Sequence, residues 1–78
     1  MLSQEALLAI VRELGQASSG LVAWELSLSE EEVRPVWEAA VRRGLLDAGA
    51  VDIHTGERMY GLSAAGAATL AGEGDAGA

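Results

Sequence analysis

The sequence predicts a small, mainly α-helical domain with one β-hairpin, in the order helix, helix, helix, strand, strand, helix. Two segments carry apolar residues along one helical face, a short apolar segment that can form two helical turns lies between them, and a serine that can cap a helix precedes each of the three. Two short β-prone segments then flank a turn-like tetrapeptide, residues 54–57. With 78 residues the chain has room for one such domain.

The first three helices can be placed from their caps. Ser3 caps the first helix, and Ser18 or Ser19 caps a short second one. Ser29 begins the third, because Glu32 stands three residues later and completes a capping-box pattern. The apolar faces are formed by Leu7, Ile10, Val11 and Leu14 in the first helix, Leu21, Val22, Ala23 and Leu26 in the second, and Val33, Val36, Trp37, Ala40 and Val41 in the third.

Pro35 affects how the third helix is formed. Counted from a cap at Ser29 it is the sixth helical residue, where a proline removes a backbone hydrogen bond at a cost of about 3 kcal/mol. The sequence favours a helix with a kink at Pro35, because Val33 continues the apolar stripe before it. The alternative is a regular helix that begins near Pro35 as its first residue.

Polar and turn-forming residues mark the connections between the elements. Residues 16–20 are expected to link the first two helices as a polar loop. Residues 51–53 and 59–62 are the two strand candidates of the hairpin, and residues 54–57 are its turn. The hairpin is therefore expected to be of modest length.

The last helix is short and is followed by a tail. Ser63 can cap a helix from residue 64 to about residue 71, which Gly66 weakens because glycine is a poor helix former. Residues 72–78 have no periodic apolar face and are expected to be disordered. The sequence therefore predicts one domain over residues 1–71 and a disordered tail over residues 72–78.

The composition excludes several classes of function. Cysteine is absent and His54 is the only histidine, so disulfides, thiol chemistry and a Cys/His zinc site are excluded. No phosphate-binding glycine loop or Ser-His-Asp set is visible, and we expect neither an enzyme nor a bound cofactor or metal. No apolar run reaches the roughly 20 residues of a membrane span, and the N-terminus lacks the pattern of a signal peptide. A cytoplasmic protein is expected.

The charge of the chain is strongly negative. Twelve acidic side chains stand against five arginines, which gives a formal net charge of −7. Such a charge opposes approach to phosphate backbones and to anionic membranes. Any electrostatic attraction to a nucleic acid would have to come from a local group of arginines.

A longer pattern links the second helix, the third helix and the hairpin. Residues 22–29, VAWELSLS, are followed by the apolar stripe of the third helix and by residues 43–46, RGLL, which leave that helix. Residues 56–66, GERMYGLSAAG, continue the pattern into the hairpin and the last helix. Over about residues 3–71 the chain resembles bacterial winged helix-turn-helix transcriptional regulators of the MarR-like and related groups. Ser27 stands where those regulators prefer glycine in the turn.

The resemblance implies a winged helix-turn-helix fold in a transcriptional regulator that binds duplex DNA through the third helix and an arginine-bearing wing. Arg34 on the third helix and Arg58 just after the hairpin turn are the implied DNA contacts. Arg42 and Arg43, near the end of the third helix, either join them or offset the dipole of that helix.

An acidic protein-interaction surface is the alternative function. Glu30, Glu31 and Glu32 occupy the first turn of the third helix, the turn that would enter the major groove of DNA. They either offset the helix dipole or bind a basic surface on another protein. Trp24 on the second helix is either an exposed contact for an apolar surface on a partner or is folded over the first helix. A homodimer is left open, and it would use the first helix or Trp24.

Overall fold

The chain folds as three helices, a two-stranded antiparallel hairpin and a fourth helix, and the predicted fold class is confirmed. The computed structural model describes residues 1–75. The elements are α1 (Gln4–Leu14), α2 (Ser19–Leu26), α3 (Glu30–Arg42), β1 (Leu46–Val51), β2 (Arg58–Leu62) and α4 (Ala64–Asp75). This order is that of a winged helix, in which the hairpin is the wing. None of the helices in this part of the chain is long and apolar enough to cross a membrane.

Serine side chains begin the first three helices. The hydroxyls of Ser3 and Ser18 each accept a hydrogen bond of 3.1 Å from the backbone N–H three residues later, so Ser18 rather than Ser19 caps α2. At α3 the Ser29 hydroxyl accepts from the Glu32 N–H, and Glu32 Oε1 accepts from the Ser29 N–H. The predicted capping box is therefore confirmed.

Pro35 lies inside α3, which begins at Glu30 and runs to Arg42. A regular helix that begins at Pro35 is therefore wrong. Because proline has no N–H, the carbonyl of Glu31 loses the donor that residue 35 would otherwise supply. The capping box at Ser29 and the complete burial of Val33 hold the turn before the proline in helical form.

The hairpin starts earlier than the sequence predicts. β1 spans Leu46–Val51, so the strand predicted over residues 51–53 is wrong, whereas β2 agrees with its prediction to within one residue. Leu46 pairs with Leu62 and its side chain is buried, which anchors β1 in the core. Ile53, whose type favours a strand, lies instead in the exposed connection, where no core surface is available to it.

A single bridge adds a third chain segment to the sheet. Ala17 and Tyr60 exchange both backbone hydrogen bonds, at 2.8 and 2.7 Å. Ala17 and Ser18 are buried, so the prediction of a polar loop over residues 16–20 is wrong. The small side chain of Ala17 lets this segment lie directly against β2.

The core lies between the first three helices and the start of the hairpin. Its buried apolar residues are Leu7, Leu8, Val11, Ala17, Val22, Ala23, Val33, Trp37, Ala40, Leu45 and Leu46. Trp37 packs edge to face on Tyr60, with ring centroids 5.5 Å apart and an angle of 86° between the rings. α4 runs to Asp75, past its predicted end near residue 71, and residues 76–78 of the predicted tail lie outside the described residues.

Candidate interaction surfaces

The turn between α2 and α3 leaves the start of α3 at the surface. Ser27 takes a left-handed conformation, with φ 56° and ψ 40°. The Leu28 N–H then donates to the carbonyl of Ala23 at 2.9 Å and closes the end of α2. Ser29 caps α3 directly afterwards, so the connection has the short length of a helix-turn-helix.

One exposed ridge of α3 carries charges of alternating sign. Glu30, Arg34, Glu38 and Arg42 are four residues apart, and all four are exposed. Side chains at this spacing are neighbours on a helix, and a glutamate one turn before an arginine is favourable. Carboxylates therefore alternate with the two arginines along this ridge. The spacing is also visible in the sequence, where it is typical of a solvated helix face.

The other two arginines predicted to contact DNA bond to different parts of the chain. At the end of α3, the Arg43 guanidinium donates to the side-chain oxygen of Gln4 on α1. Arg58, at the start of β2, donates from Nη1 to the carbonyl of Gly49 at 2.8 Å, where the register of the hairpin shifts. The predicted DNA contacts are thus divided among the α3 ridge, the α1 side of the domain and the wing.

Two carboxylates from different elements meet at the start of α2. Gly20 is the second residue of α2, and a Cβ at this position would lie 3.4 Å from Oε1 of Glu30 and 3.5 Å from Oε1 of Glu57. Glu30 is the first residue of α3, and Glu57 immediately precedes β2. The first turn of a helix carries a partial positive charge, which favours carboxylates in its vicinity. The position that could attract an external anion therefore has two internal ones beside it.

Trp24 lies one helical turn after Gly20, on the same face of α2. Its side chain is 79% exposed, so the alternative in which it folds over the first helix is wrong. We name the surface formed by Gly20, Trp24, Glu30 and Glu57 the acidic-aromatic face. It places a large apolar contact beside two carboxylates.

Glu31 and Glu32 belong to a different surface from Glu30. They line a groove of about 500 Å³ between the N-terminal segment and α3, whose other lining residues are Met1, Leu2, Pro35 and Val36. The Ser29 backbone N–H, and secondarily its hydroxyl, lower the pKa of Glu32, and the positive charge of the N-terminus acts in the same direction. The three glutamates predicted to bind a partner together are therefore divided between two surfaces.

Glu38 of the α3 ridge, and Gly20 and Glu57 of the acidic-aromatic face, are absent from the sequence-based candidates, as are the apolar residues of the groove. The spacing of Glu38 from Arg34 is a signal that could have identified it. Gly20 and Glu57 come together close to the bridge between residues 17 and 60, which joins the segment before α2 to β2. Since that bridge is a tertiary contact, no local sequence pattern predicts it.

A comparison with known protein families, with curated proteins and with solved structures finds no match to this chain. The resemblance to winged helix-turn-helix regulators therefore stays a prediction. Among residues 1–72, whose side chains the structure describes, no group of three or more His, Cys, Asp or Glu side chains is placed to hold a metal ion. The features that remain for functional interpretation are the α3 ridge, the acidic-aromatic face and the groove.

Proposed function

We propose that the chain is a winged-helix interaction module whose acidic-aromatic face binds a basic surface on a partner protein. The observation that carries the proposal is the approach of Glu30 and Glu57 to Gly20, beside the exposed Trp24. Tryptophan is among the side chains that most often dominate the affinity of a protein interface. The two carboxylates beside it favour a partner of positive charge and disfavour other partners.

The electrostatics of this face oppose DNA binding. In helix-turn-helix proteins the second helix of the motif enters the major groove, and the first crosses the phosphate backbone. In this chain the helix that would enter the major groove is α3, and the helix that would cross the phosphate backbone is α2. The carboxylates of Glu30 and Glu57 both lie close to Gly20 at the start of α2. The formal net charge of −7 adds a long-range repulsion of phosphates. A basic protein surface suits this charge distribution better than duplex DNA does.

Duplex DNA, bound by a transcriptional regulator as the resemblance implies, is the second candidate. Arg34 is exposed on α3, and Arg58 stands on the wing, where it bonds to Gly49 through Nη1. A guanidinium has five N–H donors, so Arg58 has further donors for a phosphate. We propose a cytoplasmic location under both candidates, and neither needs a cofactor.

Five variants separate the two candidates, and two of them, Arg34→Gln and Arg58→Gln, remove the arginines implied to contact DNA. Glu30→Gln/Glu57→Gln removes both carboxylates of the acidic-aromatic face, and Trp24→Ala removes its ring. Glu5→Gln/Glu13→Gln is the matched control, because it makes the same change in net charge at exposed positions of α1. Each immobilised variant is used to capture stoichiometric partners from an extract of the native host. Each is also titrated with a fluorescent random-sequence duplex at about 50 mM salt, where non-specific DNA binding is strong.

The proposal expects one partner to be captured by the wild type and by the control. Glu30→Gln/Glu57→Gln and Trp24→Ala should weaken its binding at least about tenfold, as loss of central interface contacts does. Wild type should not bind the duplex. Recovery of no stoichiometric partner, together with duplex binding that rises in Glu30→Gln/Glu57→Gln and falls in Arg34→Gln and Arg58→Gln, would replace this proposal with the second candidate.

A further inference from the structure

The groove between the N-terminal segment and α3 combines an apolar wall with negative charge. Leu2, Pro35 and Val36 supply apolar surface, and Glu31 and Glu32 supply two carboxylates. Met1, which also lines the groove, carries the N-terminal ammonium, whose charge offsets part of theirs. The groove's volume of about 500 Å³ lies within the range of pockets that enclose organic groups. An occupant that fills it should therefore have both an aliphatic part and a cationic part.

Pro35 also changes the backbone beside this groove. Since residue 35 has no N–H, the carbonyl of Glu31 does not receive the hydrogen bond that an α-helix would give it from that position. Glu31 and Pro35 both line the groove. A carbonyl without its helical donor is satisfied by a different donor, such as water or a ligand. The Glu31 carbonyl is therefore a candidate acceptor for a ligand in the groove.

Glu32 keeps part of its capacity to accept hydrogen bonds while it caps α3. Its Oε1 accepts from the Ser29 N–H at 3.1 Å and from the Ser29 hydroxyl at 3.2 Å. Each carboxylate has two oxygens with about four acceptor positions, so Oε2 of Glu32 and the oxygens of Glu31 are candidate acceptors for a ligand there. Several donors held in one plane would match this set.

We propose that the groove binds the side chain of an arginine from a partner protein. The planar guanidinium presents five donors in a fixed fork, which suits carboxylates and a carbonyl, and its aliphatic stem packs along Leu2, Pro35 and Val36. Lysine presents a compact, strongly hydrated ammonium that matches such a set less well. The groove shares no residue with the acidic-aromatic face, so a loss of binding at one surface does not imply a loss of binding at the other.

An NMR titration of the full chain tests this proposal. N-acetyl-L-argininamide should produce saturable shifts at the backbone amides of Leu2, Glu31 and Val36, and N-acetyl-L-lysinamide should bind at least about threefold more weakly. Glu31→Gln should weaken the binding of the arginine probe about threefold to fivefold, as loss of an exposed charge pair does. Glu13→Gln, which removes one exposed carboxylate from α1, should leave it unchanged.

Pro35→Ala distinguishes a binding site from a merely structural role. The alanine returns an N–H to the Glu31 carbonyl and removes part of the apolar wall, so we expect at least about threefold weaker binding in a helix that is more stable. Unchanged binding in both Pro35→Ala and Glu31→Gln, or equal affinity for the two probes, would overturn the proposal. Shifts at the same amides that depend on protein concentration alone would identify a second copy as the occupant and would also overturn it. The indole N–H signal of Trp24 reports separately on the acidic-aromatic face.

Discussion

Gly66 packs so closely against the backbone of Leu45 that a Cβ on Gly66 would overlap the carbonyl oxygen of Leu45. This contact joins the start of α4 to the segment between α3 and β1. Ser63 ties the same segments together, because its N–H donates to the Leu45 carbonyl at 3.1 Å and its hydroxyl donates to the Gly44 carbonyl at 2.6 Å. Gly66, which weakens the helix by propensity, is therefore the residue that allows α4 to dock.

Gly66→Ala is expected to lower the free energy of unfolding by about 2 kcal/mol or more, because the added methyl group forces the two backbones apart. Helix propensity alone predicts the opposite sign, a gain of about 1 kcal/mol. Gly72→Ala is the control on the same helix, since a Cβ there meets nothing within 4 Å. It should be neutral or stabilising in urea unfolding followed by circular dichroism. A Gly66→Ala variant as stable as Gly72→Ala would contradict the close contact.

Ser27 holds the turn between α2 and α3 in a left-handed conformation, with φ 56°. This conformation disfavours every residue with a Cβ and is readily adopted by glycine. Ser27→Gly is therefore expected to stabilise the domain by about 0.5–1 kcal/mol. Ser19→Gly, in the first turn of α2, is the matched control and should be neutral or destabilising by up to about 1 kcal/mol. Chemical unfolding of both variants checks the sign, and a loss of stability in Ser27→Gly would refute this account of the turn.

Glu32 makes the capping of α3 depend on pH. Hydrogen bonds from the Ser29 backbone N–H and then from the Ser29 hydroxyl hold the pKa of Glu32 below its ordinary value of 4.5. A carboxyl with a lower pKa in the folded chain stabilises the fold above its unfolded pKa, and that contribution is lost as the pH falls through the folded pKa. The stability difference between the wild type and Glu32→Gln should therefore be constant near neutral pH and shrink as the pH drops below 4.5.

Unfolding curves between about pH 7 and pH 3 measure this difference. Glu13→Gln, on the exposed side of α1, is compared with the wild type over the same range to account for general charge effects. A difference between the wild type and Glu32→Gln that stays the same down to the acid limit would contradict the capping role of the carboxylate.

Local signals were sufficient to place the starts of the first three helices and β2 but not β1. α1, α2 and α3 begin directly after Ser3, Ser18 and Ser29, because a cap needs only the few residues that follow it. The position of β1 instead depends on the pairing of Leu46 with Leu62. This tertiary contact overrides the weak β propensity of the small residues in the strand. A local sequence pattern does not predict such a contact.

The residues of the candidate surfaces were likewise predictable only where local helical spacing determines their positions. Glu30 and Trp24 could be selected from their places on helices, since a first turn and an outer face follow from helical spacing. Glu57 could not, because it approaches Gly20 through the tertiary structure, close to the bridge between Ala17 and Tyr60. That bridge depends on burial of a single alanine in a segment that otherwise has the composition of a loop.

The two tryptophans should respond in opposite ways to truncation. Trp37 is 8% exposed and packs on Tyr60, whereas Trp24 is 79% exposed. Trp37→Ala is therefore expected to cost about 3–5 kcal/mol, a large share of the stability of a small domain, and Trp24→Ala only about 0.5 kcal/mol or less. Fluorescence gives an independent check. In Trp24→Phe the remaining tryptophan is the buried Trp37, so its emission should be blue-shifted and acrylamide should quench it poorly. Equal destabilisation by the two alanine variants would make Trp24 a core residue and remove the aromatic contact from the proposed partner surface.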